Sequence, residues 1–143
     1  MTFKINLGTK EGKTYKLEAE APALLEKKIH DKILGQEVSP DLAGYEFEIT
    51  GGSDKAGFPM LEKIEGFQLK KTLLTYGKGM KKRPKREGKK VRSKNRPKGL
   101  RLRKSVRGNI ISEAITQVNL KVLKEGDKKI SEIFAHAETP KAE

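Results

Sequence analysis

The stretch Tyr45-Glu46-Phe47-Glu48-Ile49 alternates aromatic or aliphatic side chains with carboxylates. Successive side chains of a strand point to opposite faces, so Tyr45, Phe47 and Ile49 are predicted to face a core and the two glutamates water. The same period runs through Phe3-Lys4-Ile5-Asn6-Leu7, and again through Thr14–Ala19, where Tyr15, Leu17 and Ala19 share a face. Between those two runs lies Gly8-Thr9-Lys10-Glu11-Gly12, so the pair reads as a hairpin with one buried face. Further along, Leu69–Tyr76 and the alternating Val118, Leu120 and Val122 have strand character, and Ile110 and Ile111 add a strand-like pair.

Two segments change period. From Pro22 onward, Leu25, Ile29 and Ile33 recur every fourth residue, which predicts an amphipathic helix started by Pro22 and stopped by Gly35. Ala21 offers that helix no side-chain cap, and His30 reads as a residue at its edge rather than a ligand. Past Gly126, the residues Ile130, Ile133, Phe134 and Ala137 stand at helical spacing and predict a short C-terminal helix. Gly51 to Gly57 reads as a tight Gly-rich turn. The fold class that follows is mostly β (α+β): a small barrel-like or strongly bent antiparallel sheet with two short helices and a long basic arm, closure being the usual way to remove exposed edges.

Charge is distributed in blocks. The chain of 143 residues carries a net +13, yet residues 1–77 hold 11 basic and 12 acidic side chains, and residues 109–143 hold 5 and 6. Residues 78–108 hold 16 basic and 1 acidic, so the whole excess sits in one internal segment. Like charges at that density oppose compaction until a polyanion neutralises them, which points to nucleic acid. The domain reading is therefore a β-rich body begun by 1–77, a basic RNA-binding arm over 78–108, a completion of the body by 109–137, and a polar tail over 138–143.

The segment KGMKKRPKREGKKVRSKNRPKGLRLRKSVRG contains no aromatic residue, and Pro84 and Pro97 break any helix. Base stacking is disfavoured for such a segment, and phosphate contact remains, with Lys as compact charge and Arg as a planar fork. The candidate phosphate-binding residues in the segment are Lys81, Lys82, Arg83, Lys85, Arg86, Lys89, Lys90, Arg92, Lys94, Arg96, Lys98, Arg101, Arg103, Lys104 and Arg107. At its end, Leu100, Leu102 and Val106 stand among arginines, so the chain is expected to re-enter the body there with a basic outer face.

Other chemistries find little support. The absence of cysteine excludes disulfides and thiolate metal sites, and two histidines, His30 and His136, supply a metal or catalytic centre poorly. No apolar run approaches the roughly 20 residues of a membrane helix, and the N-terminus lacks an apolar leader region, so the sequence predicts a soluble, intracellular protein. Gly51-Gly52-Ser53-Asp54-Lys55 lacks the glycine spacing of a phosphate-cradling loop; glycines permitting a tight turn, with Asp54 capping backbone N–H groups, is the plainer reading. Lys104 and Ser105 are adjacent, and adjacent strand residues point apart, which argues against a Ser–Lys dyad. No catalytic residue, metal site or cofactor is expected.

Two blocks carry a family resemblance. Ile49-Thr50-Gly51-Gly52-Ser53-Asp54-Lys55-Ala56-Gly57-Phe58-Pro59-Met60 resembles a signature of the archaeal and eukaryotic small-subunit ribosomal protein S6e family. Arg103-Lys104-Ser105-Val106-Arg107-Gly108-Asn109-Ile110-Ile111 resembles the second recognisable block of that family, in the family's order, and the likeness extends from Phe3 to about Phe134. The resemblance implies a six-stranded barrel-like domain, a cytoplasmic place in the ribosome, and partners in small-subunit rRNA and neighbouring ribosomal proteins, with no membrane and no small-molecule substrate. It also implies an RNA-facing role for Lys55, Arg103, Lys104 and Arg107. Eukaryotic members continue into a long basic helix with phosphorylatable serines, whereas this sequence ends in Ala137-Glu138-Thr139-Pro140-Lys141-Ala142-Glu143 like a short archaeal form, so kinase regulation is not implied. Lys81–Pro97 is longer and more basic than the family pattern. The rival reading is a nonspecific nucleic-acid binder, chromatin-like or an RNA chaperone, which needs neither the Gly-rich block nor the second one.

Overall fold

The computed structural model describes residues 2–80 and 98–135. Among these residues seven strands are formed: β1 (Phe3–Gly8), β2 (Thr14–Ala19), β3 (Lys32–Leu34), β4 (Glu46–Asp54), β5 (Leu69–Leu74), β6 (Leu102–Arg107) and β7 (Ile115–Lys124). Two short helices accompany them, α1 (Gly35–Val38) and α2 (Ile130–Ala135), with single 3₁₀ turns at Pro22–Leu24 and Pro40–Leu42. Five strands make one sheet in the order β2-β1-β7-β4-β3, and β5 pairs with β6 in a separate ribbon.

The alternating runs do what their period predicts. Phe3, Ile5 and Leu7 of β1 are buried, as are Phe47 and Ile49 of β4 and Val118, Leu120 and Val122 of β7. Tyr45, just ahead of β4, is also buried; its ring stacks on Phe47 at 5.8 Å and its hydroxyl donates to the Lys128 carbonyl. β1 and β2 form the expected antiparallel hairpin, with Thr9 N–H bonded to the Lys13 carbonyl at 2.8 Å across the turn. Helix α2 packs back on this hairpin through Phe134, whose ring stacks on Tyr15 at 5.1 Å.

The helix expected from Pro22 to Gly35 does not form. Only Pro22–Leu24 coils, after which Glu26 and His30 take φ of 65° and 75°, values no right-handed helix contains. The backbone of this strap bonds outward: Glu26 N–H to Ile111 O, Ile29 N–H to Asn109 O, and His30 N–H to Ile49 O. Ile29 and Ile33 still reach the core, Ile33 from β3, where it sits opposite Phe47. A four-residue spacing was satisfied by tertiary pairing instead of a helical stripe. Gly35 begins α1 rather than ending a helix, and a Cβ there would lie 1.9 Å from the Leu42 carbonyl oxygen.

Three further expectations change. The turn placed over Gly51–Gly57 is shorter: β4 continues through Gly51 and Gly52 to Asp54, with register shifts between Ile49 and Gly51 and between Ser53 and Asp54, and of these glycines only Gly57 has positive φ, 91°. Gly52 is needed for close approach, since a Cβ would stand 2.4 Å from the Gln117 carbonyl oxygen on β7. The sheet is not wholly antiparallel, because β1 and β7 run parallel. Finally, β2 and β3 are its edges and do not pair with each other, so the described strands form an open sheet and not a closed barrel. Ile110 makes only an isolated bridge to Lys28, while Ile111 fills the core.

The ribbon is joined to the sheet by Pro59–Leu61. Pro59 bridges Ser53 of β4, and Met60 bridges Arg107 of β6. Arg107 donates its N–H to Pro59 O at 2.9 Å and accepts from Leu61 N–H at 3.0 Å. Proline serves here because only its carbonyl is used.

Candidate nucleic-acid interface

The register of the ribbon sorts its cations. β5 reads Leu69-Lys70-Lys71-Thr72-Leu73-Leu74 and β6 reads Leu102-Arg103-Lys104-Ser105-Val106-Arg107, five basic side chains and no acid. Opposed residues of an antiparallel pair share a face. Lys70 opposite Val106, and Thr72 opposite Lys104, define one face; Lys71 opposite Ser105, and Leu73 opposite Arg103, define the other. Val106 is fully buried, and Gly79 of the chain leaving β5 lies against Leu74 and Val106, so the first face is the inner one. Lys70, Lys71, Arg103 and Lys104 are all exposed, the pair on the inner face included.

Arg107 has a different situation. Its Nε donates to Asp54 Oδ2 at 3.0 Å, with the two side chains 22% and 4% exposed. Asp54 Oδ1 accepts from Phe58 N–H at 2.8 Å, which is the cap read from the sequence. Burial by itself pushes the Asp54 carboxyl up, but the Arg107 hydrogen bond and the N–H groups of Phe58 and Gly57 outweigh it and hold the acid below its ordinary range. Asp54 and Arg107 thus tie the two sequence blocks together, and Lys55 follows, exposed, at the turn.

Of the sequence-predicted residues, Arg103 and Arg107 share the outer face of β6, whereas Lys104 lies on the inner one. Lys98 and Arg101 are exposed in the approach to β6. Lys81, Lys82, Arg83, Lys85, Arg86, Lys89, Lys90, Arg92, Lys94 and Arg96 lie outside the described residues. The described residues stop at Met80, which is buried, and resume at Lys98, which is exposed. Sequence reasoning missed Lys70 and Lys71, which count as ordinary strand lysines until pairing with β6 sets them beside Arg103 and Lys104. The cue available was a strand carrying two adjacent lysines and no acid.

A second polar cluster stands apart from the ribbon's cations. His30 Nδ1 lies 2.8 Å from Glu48 Oε1, and Nε2 lies 2.6 Å from Glu62 Oε2. The bonds to Glu48 and then Glu62 raise the His30 pKa above its ordinary value, and the same contact lowers that of Glu62. The sequence reading placed His30 on a helix edge; it instead ties its strap to β4 and to the loop ahead of β5. Among the described residues no group of three or more acids and histidines is arranged to hold a metal ion. No described helix is long and apolar enough to cross a membrane.

Among the described residues the body is β-rich, the β5–β6 ribbon is cationic and free of acids, and the one buried carboxylate, Asp54, is committed to the ion pair with Arg107. The family model described as ribosomal protein S6e matches residues 3–135. The chain is 43% identical over 127 residues to a small ribosomal subunit protein eS6 of Methanococcus maripaludis, covering 88% of this chain and 90% of that one. It is 38% identical over 146 aligned positions to the protein of that name in Methanosphaera stadtmanae, spanning 100% of both, and 39% identical over 126 residues to that of Nanoarchaeum equitans, covering 87% of this chain and 82% of that one. The chain belongs to the ribosomal protein S6e family, whose members are non-enzymatic and cytoplasmic.

Proposed function

We propose that this chain is a structural constituent of the small ribosomal subunit that binds folded rRNA through phosphate contacts, with neighbouring ribosomal proteins beside it. One observation carries the reading: the acid-free ribbon stands at both ends of the basic segment, leading into it through β5 and receiving it in β6. Residues 1–77 and 109–137 act as the body, and residues 78–108 as the RNA-binding part. Lys55, Lys98, Arg101, Arg103 and Lys104 contact phosphate, as do the basic residues between Lys81 and Arg96. Arg107 contributes to RNA through the arginine nitrogens other than the Nε that Asp54 holds. Phosphate contacts fix position and read little sequence, so RNA shape supplies the specificity.

The test is binding to folded small-subunit rRNA and to a random RNA duplex of equal length across a salt series. A preference for the folded rRNA that survives added salt is expected. Equal affinities that collapse together would instead mark a nonspecific polyanion binder. Deleting residues 81–97 is expected to abolish tight binding with the body still folded, and removing one lysine to lower the salt slope by about one unit. Tight binding by the deletion variant would refute the segment's role.

A further inference from the structure

The outer face of the ribbon holds more than charge. Leu69 and Leu73 are 45% and 54% exposed there, on either side of Lys71 in β5. Arg103 stands opposite Leu73, Ser105 opposite Lys71, and Arg107 opposite Leu69. Phosphate contact alone gives exposed leucines nothing to cover. A ligand that does has an apolar or sugar-lined floor bounded by anions.

We propose that this face seats in the minor groove of an A-form RNA duplex. The inference rests on the RNA-binding reading above and names the RNA element that the ribbon takes. Leu69 and Leu73, about 13 Å apart along a strand, lie on the riboses of the groove floor. Lys71 and Arg103 hold phosphates at its walls, and the exposed Lys70 and Lys104 extend that grip. None of these four cations has an ion pair or hydrogen bond among the described residues, whereas Arg107 at the ribbon's base is held by Asp54. These four charges are therefore exposed and uncommitted, and their complement is a polyanion rather than an ordinary protein surface.

Groove geometry selects the duplex. With its side chains a two-stranded ribbon fills a groove of about 12 Å, too broad for the roughly 6 Å minor groove of B-DNA. The A-form minor groove is wide and shallow and displays 2′-hydroxyls. Ser105, at the middle of the outer face and opposite Lys71, supplies a hydroxyl able to donate to or accept from one.

The full-length chain is titrated against an RNA duplex and a DNA duplex of the same sequence, across salt, as wild type and as L69S/L73S, K71A/R103A and S105A. Wild type is expected to prefer RNA. L69S/L73S is expected to weaken RNA-duplex binding about tenfold with the salt slope unchanged, because leucine lying on ribose releases no counterion. K71A/R103A is expected to lower the slope by about two units, and S105A to narrow the RNA preference. Both leucines are about half exposed, so their variant keeps the wild-type melting profile; S105A remains as a probe should it not. L69S/L73S binding RNA like wild type, or wild type binding both duplexes equally, overturns the groove assignment and leaves the leucines to a protein neighbour, with rRNA binding by the basic segment still standing. A wild-type chain that fails to prefer folded rRNA overturns the functional reading itself.

Discussion

Arg107 Nε and Asp54 Oδ2 meet at 3.0 Å where the β5–β6 ribbon joins the five-stranded sheet. The acid also accepts from Phe58 N–H, so one carboxylate holds a turn, a strand end and a guanidinium. D54A is expected to cost about 3 kcal/mol, since it strands a partly buried guanidinium and an N–H donor together. Chemical denaturation compared between D54A and wild type measures it. With the folded pKa below the ordinary 3.8, Asp54 contributes its full stability above that value and loses it as pH falls through the lower, folded one. The difference between wild type and D54A should therefore shrink only in strongly acidic solution.

The His30 cluster gives a second pH signature at the opposite end of the scale. A raised imidazole pKa contributes stability fully below the ordinary 6.5 and loses it as pH rises through the folded value. Glu62, lowered from 4.5, loses its contribution as pH falls through its own folded value, so the clamp is strongest in mildly acidic solution. An NMR titration should place the His30 midpoint above 6.5 and move it down in E48Q and E62Q. A midpoint unmoved by either change would mean that the carboxylates do not hold the ring.

Two glycines should fail for different reasons. A Cβ at Gly108 would lie 1.9 Å from the Gly66 carbonyl oxygen, both atoms belonging to backbone. At Gly57 nothing stands within 4 Å and only the φ of 91° resists. G108A is expected to destabilise by about 3 kcal/mol, and G57A by about 1 kcal/mol. Paired urea titrations separate the two.

The ribbon's faces predict an asymmetry in stability as well. Val106 is wholly buried on the inner face, so V106A should cost about 2 kcal/mol. Leu73, on the outer face, should cost within about 0.5 kcal/mol when replaced by alanine. Thermal melts of the two variants check whether the inner and outer assignments are right.

Much of the sheet was legible because a period of two, recurring in Phe3–Leu7, Thr14–Ala19 and Tyr45–Ile49, fits a half-buried strand and no helix. The Asp54 cap was legible too, since a short acid followed by Gly57 is turn chemistry. The strap after Pro22 was misread because spacing alone cannot report where a backbone finds its partners; Glu26 and His30 turn at positive φ to bond Ile111 and Ile49. The openness of the sheet and the parallel β1–β7 pair depend on contacts between distant residues, which no local pattern encodes. In the candidate site, the charge block announced Arg103 and Lys104 by density. Lys70 and Lys71 joined them only through the β5–β6 register, and Arg107 gave its Nε to Asp54.

The position of β7 has a consequence in time. This strand lies between β1 and β4, in the middle of the sheet, yet it is the last of the described strands in chain order. During synthesis the N-terminal strands emerge first, then the cationic segment, and only afterwards Ile115–Lys124. Until then β1 and β4 have no shared neighbour, and pairing β7 with β1 must close a span of more than a hundred residues. The newborn chain therefore presents its polycation to the cell before the strand that unites β1 with β4 has been made.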